Sequence, residues 1–194
     1  NKVDIVISTH PDMDHTSGLC IVLEKMEVSN LVMHLPWKHA SDIKKEFKDG
    51  RVTISGVKKD LEDSLSYASD LEDIATRKKI TIHEPFTGMT AFNGVIHFLA
   101  LTEEYYQSLL PHFRGTPEPL TSIGLLGMVK KMGETVSQKV QDYLHINHLD
   151  DEDSTSPENN TSTIILVQID GHKMLFTGDA GKRAIENAIS YAHS

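Results

Sequence analysis

The sequence predicts a mixed α/β sandwich, on three observations. A β-branched run passes straight into an amphipathic stretch at the start. Strand-like and helix-like runs then alternate through residue 101. Late in the chain, Asp170-Gly171 separates two further strand-like runs in the manner of a two-residue hairpin turn.

Taken in order, Val3 to Ser8 is a short buried-type strand. Thr16 to about Glu27 places Leu19, Ile21, Val22, Leu23 and Met26 on a helix that packs on a sheet. Asn30 to His34 reads as a second strand. Ser41 to Lys48 reads as a helix, with Ser41 as its cap and Gly50 just past its end. Arg51 to Ser55 reads as a strand and Leu61 to Arg77 as one longer helix. Ile80 to His83 and Val95 to Leu101 are further strands, with breaks at Pro85, Gly88 and Asn93-Gly94. Thr102 caps a short helix whose Glu103 and Glu104 suit its N-terminal dipole.

Thr116-Pro-Glu-Pro119 is a linker-like break, Ile123 to Leu144 reads as a helix, and the acidic run from Asp150 to Asn160 as a mobile loop. Thr163 to Ile169 and Lys173 to Thr177 form the hairpin, and a last helix spans about Lys182 to Ala192. No internal repeat is visible.

At 194 residues the chain can bury one substantial core, and one domain is the default. A hydrophobic fraction of 39% and a charged fraction of 24% are ordinary for a globular protein. The formal charge of −9 argues against a general electrostatic grip on nucleic acid, although a local basic groove is compatible with it. The lone Cys20 excludes an internal disulfide framework and a cysteine-rich zinc site, which suits a reducing cytoplasm. No apolar run approaches the roughly 20 residues that cross a bilayer. The chain opens at Asn1 within a strand-like run, so a fragment of a longer protein is expected, with further domains possible in the parent.

Two features carry chemistry. In Ser8-Thr-His-Pro-Asp-Met-Asp-His15, four ligand-type side chains, His10, Asp12, Asp14 and His15, follow a buried strand within six residues. Imidazole and carboxylate suit a divalent ion of intermediate hardness. A tight loop can aim residues 10 and 12 at one ion and turn 14 and 15 towards a second. Ions about 3.5–4 Å apart can share a bridging hydroxide as nucleophile. The second feature is Leu175-Phe-Thr-Gly-Asp179, where a carboxylate at a strand end is placed to bridge two ions and Gly178 lets the backbone approach.

The first run resembles the His-x-His-x-Asp-His signature of the metallo-β-lactamase superfamily, with Asp12 where the second His usually stands. The Gly-Asp after an apolar strand resembles that family's bridging-Asp motif. Asp12, together with Asn159-Asn-Thr-Ser162 ahead of the strand at 163, is most similar to the hydrolase domain of competence-type DNA-uptake proteins. The resemblance implies an αββα sandwich with metals at one edge of the two sheets. Here it would be truncated at both ends, with a helical and acidic insertion at about 114–160. It spans nearly the whole chain but is specific at residues 5–19 and 159–181. It implies that His10 and Asp12 hold one ion, Asp14 and His15 the other, and that Asp179 bridges. A carboxylate at Asp14 can also accept a proton from the attacking water. Glu158, Asn159 and Asn160 occupy the neighbourhood of the family's third-motif His, and its final His motif would lie beyond Ser194.

Set beside these readings are plainer ones. The first motif can be a polar turn capping a helix through Asp14 or Thr16, and Asp179 an ordinary turn residue. His34, His39, His83, His97, His112, His172 and His193 read as surface or satisfied core residues, Tyr105 and Tyr106 as packing residues. His145 and His148, at i, i+3, could also reach a metal. Asn160 and Ser162 can equally orient the loop or touch metal or substrate.

The expected function is a metal-dependent hydrolase, nuclease-like or otherwise phosphodiesterase-like, acting on a small-molecule or nucleic-acid phosphodiester. Two Zn²⁺ ions are expected; Asp12 hardens the site, so Mn²⁺ is the alternative. A lactam, lactone or thioester hydrolase and a non-catalytic scaffold with a degenerate site are the other readings.

Overall fold

The computed structural model describes residues 1–120 and 155–193. Its described elements, in chain order, are β1 (Lys2–Ile7), α1 (Met13–Lys25), β2 (Glu27–Val32), α2 (Ala40–Ile43), α3 (Ile54–Ser64), α4 (Ser66–Arg77), β3 (Thr81–His83), β4 (Thr90–Ala91), β5 (Ile96–Phe98), α5 (Glu103–Leu109), β6 (Ile165–Ile169), β7 (His172–Phe176) and α6 (Lys182–Ala192). The protein is mixed α/β with two sheets. One is parallel, in the order β1-β2-β3; the other is antiparallel, in the order β4-β5-β6-β7.

Period-2 alternation explains how the sheets pack. Val6 and Leu31 face the helices and join Leu23 of α1, Val57 and Leu61 of α3, and Leu71 and Ala75 of α4 in the main core. Their neighbours Ile5, Ile7 and Val32 face the other way and meet Phe98, Ile165 and Val167 of the antiparallel sheet. Leu166 lies on the opposite face of β6, where Ala184, Ile185 and Ala188 of α6 pack with Ile164 and Leu99. Each sheet thus presents apolar side chains on both faces, and Ile5, Val6 and Ile7 of β1 divide between them.

Several expectations hold. Thr102 accepts from the Tyr105 N–H at 3.2 Å and opens α5, and α6 lies where it was expected. Asp170 and Gly171, at φ 49° and 78°, form the left-handed turn between β6 and β7. Three expectations are corrected. Arg51 to Ser55 is not a strand: Thr53 accepts from the Gly56 N–H at 3.0 Å and starts α3 at Ile54. Leu61 to Arg77 is not one helix: Leu65, at φ −116° and ψ 42°, separates α3 from α4. Ser41 does not cap a helix over Ser41–Lys48. It lies inside α2, with 3₁₀ turns at Pro36–His39 and Lys44–Glu46 on either side. The helix expected at Ile123–Leu144, with His145 and His148, lies outside the described residues, as does most of the expected insertion. No helix among the described residues is long and apolar enough to cross a membrane.

Candidate metal centre

The first motif sits where β1 gives way to α1. The Ser8 N–H donates to Val32 O at 2.9 Å, holding the motif at the C-terminal edge of the parallel sheet. Asp12 takes the N-cap position of α1 with extended backbone (φ −67°, ψ 148°) but makes no side-chain capping bond. The Thr16 hydroxyl donates to the Asp12 carbonyl at 2.9 Å instead. The plainer reading, a cap at Asp14 or Thr16, is corrected: both lie inside α1, and the N-cap position falls at Asp12.

The structure brings three of the five expected residues tightly together. Nitrogen or carboxylate atoms of His10, His15 and Asp179 all lie within 4.8 Å of one another, as no other such trio does among the described residues. Asp179 Oδ2 stands between the imidazoles, 3.9 Å from His10 Nε2 and 3.4 Å from His15 Nε2. The remaining two flank the trio: Asp12 Oδ2 is 3.8 Å from His10 Nε2, and Asp14 Oδ2 is 3.8 Å from His15 Nε2. Each imidazole thus has one aspartate of its own and shares a third.

Burial is graded across the cluster. The His10 side chain is fully buried, that of His15 is 30% exposed and that of Asp14 74%. His10 Nε2 has no hydrogen-bond partner among the described residues. Burial first, then the neighbouring His15, push the His10 pKa from 6.5 down to about 4, against the pull of Asp179 and Asp14. His10 is therefore neutral at pH 7, and its buried Nε2 faces carboxylates too distant to bond it. That is the state in which imidazole binds a metal.

The other side of the cluster is held from behind. Ser162 Oγ lies 3.2 Å from His10 Nδ1 and accepts from the Asp179 N–H at 3.1 Å, tying the first motif to the second. Thr9 Oγ1 reaches His10 Nδ1 at 3.1 Å and His15 Nδ1 at 3.4 Å. Gly178 has φ +53°, and a Cβ there would come within 3.0 Å of Ser162 Oγ and 3.1 Å of Thr9. Glycine is needed for both conformation and space. Asn160 is buried and donates to Thr155 O at 3.4 Å, away from the trio. Of the pair left open by the sequence, Ser162 orients the site.

Two functional neighbours were missed. Arg114 Nη2 contacts Asp12 Oδ1, while its Nε lies 3.3 Å from Glu158 Oε1 and its backbone N–H donates to the same oxygen at 2.7 Å. Glu158, in the neighbourhood of the expected third His, is buried and faces Arg114. No local pattern in the sequence marks either residue.

A second histidine cluster follows the other strands of the parallel sheet. Glu84 accepts from the Leu35 N–H at 2.9 Å and pairs with His39 Nε2 at 3.2 Å. Burial opposes the charge on His39, but the Glu84 hydrogen bond and charge outweigh it and hold its pKa above the ordinary value. His34 stacks on Tyr106 with ring centroids 4.4 Å apart. It is the exception to the satisfied-core expectation, since neither ring nitrogen has a hydrogen-bond partner among the described residues. Burial chiefly, and His39, lower its pKa to about 3, against the pull of Glu84. Tyr105 and Tyr106 pack in the core as expected.

No family model and no curated protein matches the chain.

Proposed function

We propose that the chain is a metal-dependent hydrolase of the metallo-β-lactamase kind, nearest the competence-type domains, acting on phosphodiesters. The observation that carries this reading is Asp179 Oδ2 standing between His10 Nε2 and His15 Nε2, with Asp12 and Asp14 each beside one imidazole. Two His–Asp pairs joined by a third carboxylate make a donor set for two divalent ions. The orphaned Nε2 of the buried, neutral His10 supports the fit. His10 and Asp12 would hold one ion, His15 and Asp14 the other, and Asp179 both. Zn²⁺ suits the imidazoles and Mn²⁺ the three carboxylates. The αββα arrangement is supported by the two apolar sheet faces that meet and by helices covering the outer faces. We place the domain in a reducing compartment, the cytoplasm, on the single free cysteine.

When bound, the ions supply Lewis-acid polarisation of the scissile group and acidify the attacking water. The chain supplies the geometry. Were His10 to hold an ion through Nε2, its Nδ1–H would donate to Ser162 Oγ, which would fix the ring and raise its basicity. Asp14, the most exposed carboxylate of the set, is open to water and would accept a proton from it. The burial of His10 keeps that side of the site dry, where electrostatic interactions are strongest.

The test is hydrolysis of bis(p-nitrophenyl) phosphate with Mn²⁺ or Zn²⁺. Metal-dependent turnover that falls at least about 100-fold in Asp179→Ala and Asp14→Ala is expected. A protein that turns over with neither ion, or variants as active as the parent, would refute the reading. The second reading is a non-catalytic scaffold with a degenerate site. Glu158 favours it, because it stands near the third-motif position yet faces Arg114.

A further inference from the structure

We propose that Arg114 is the substrate-anchoring residue of this site, gripping the non-bridging oxygens of a phosphodiester; this rests on the hydrolase reading above and deepens it. The placement is specific. Arg114 comes from the segment after α5, and its guanidinium reaches the metal-motif loop, with Nη2 against Asp12 Oδ1. Its position is fixed from below by Glu158, one of whose oxygens takes both the Arg114 backbone N–H at 2.7 Å and Nε at 3.3 Å.

Glu158 is only 4% exposed, and burying a carboxylate is costly unless charged or hydrogen-bonding partners meet it. Arg114 supplies both. Glu158 in turn starts the turn that delivers Ser162 to His10: its carbonyl accepts from the Thr161 hydroxyl at 2.6 Å and from the Thr161 N–H at 3.0 Å. One short segment, Glu158 to Ser162, thus touches both the arginine and the imidazole.

The side chain is nevertheless 52% exposed. A residue serving only as counter-ion to Glu158 and Asp12 has no need to leave half its surface open beside the candidate centre. A guanidinium carries N–H donors in a planar fork. Nε faces Glu158 and Nη2 faces Asp12 as ion pairs, which leaves the Nη1 edge for a ligand. That edge matches two oxygens of a phosphate. The inference also answers the charge argument. A chain of net charge −9 repels a diester at long range, so the local field must come from the site itself. Among the described residues, Arg114 is a cation in contact with the metal-motif loop.

The experiment compares the Mn²⁺-loaded parent with Arg114→Gln. Substrates are the anionic bis(p-nitrophenyl) phosphate and the neutral dimethyl p-nitrophenyl phosphate; inorganic phosphate is titrated calorimetrically as a second readout. We expect KM for the diester to rise about tenfold with kcat within about threefold, as for loss of a charge-assisted contact. Phosphate binding weakens about tenfold, and at saturating Mn²⁺ kcat/KM for the neutral triester stays within about threefold.

Equal losses on both substrates together with weaker Mn²⁺ binding would mean that Arg114 merely positions Asp12, and would overturn the proposal. So would phosphate binding that is absent in the parent or unaltered in the variant. Phosphate binding that depends on Arg114, in a parent that cleaves no diester, upholds the anchor and sinks the hydrolase reading instead. Should Arg114→Gln fail to fold, Arg114→Lys keeps the charge but loses the fork; about threefold weaker phosphate binding is expected, and none overturns the proposal.

Discussion

Ser162 shows how much of the site depends on a residue that would touch no ion. Its hydroxyl meets His10 Nδ1 and the Asp179 N–H, groups from opposite ends of the chain. Outer-shell partners of this kind typically contribute 10–100-fold in metal affinity. Ser162→Ala should therefore weaken Mn²⁺ binding by roughly tenfold or more while its unfolding transition stays close to the parent's, as calorimetry and a thermal melt would report. Asp12→His adds a softer ligand and should move Mn²⁺/Zn²⁺ competition towards Zn²⁺; an unchanged ratio in a competition assay counts against Asp12 as a ligand. These ligand-type residues were legible because chemistry and spacing coincide: four of them within six residues after an apolar strand, and an aspartate behind a glycine that only glycine can fill. Arg114 and Glu158 were not legible, because their meaning lies in a contact across 44 residues of sequence, and neither has a neighbour that sets it apart.

At the scale of elements, the strands were legible where turn chemistry punctuated them. Asp170-Gly171 fixed the hairpin, and Ile5, Val6 and Ile7 of β1 pack on the two faces of its sheet. The errors arose where a local preference was outcompeted. Val52, Thr53 and Ile54 are β-branched and read as a strand, yet the Thr53 hydroxyl meets the Gly56 N–H and starts a helix there. Removing that cap in Thr53→Ala should cost about 1 kcal/mol in urea unfolding. An unchanged midpoint would mean that packing of Val57 and Leu61 alone sets the start of α3. The break at Leu65 has a similar origin: Leu65, Leu61 and Ala68 are all buried in one core, and a bend lets both helices bury their apolar faces.

For the molecule as a whole, two buried histidines with lowered pKa values shape the response to acid. His34 and His10 titrate near 3 and 4 when folded but near 6.5 when unfolded. As pH falls from about 6.5, the unfolded chain takes up protons that the folded one refuses, so stability drops throughout that window. His39 has the opposite sign: its raised pKa contributes stability fully present below about 6.5 and lost as pH rises through the folded value. His34→Phe, which keeps a ring against Tyr106, should therefore lose less stability than the parent between pH 7 and pH 5, measured by urea midpoints; equal losses would remove His34 from the account. The same architecture that buries His10 carries it to Asp179 across the junction of the two sheets, and the central claim is that this junction is a two-ion site. Metal stoichiometry tests it most directly, by calorimetric titration of the metal-free protein with Mn²⁺ and with Zn²⁺ and elemental analysis of the loaded protein, alongside Asp179→Ala. The account predicts two ions per chain in the parent and at most one in Asp179→Ala. No bound ion at saturating Mn²⁺ and Zn²⁺, or two ions retained without Asp179, would contradict it.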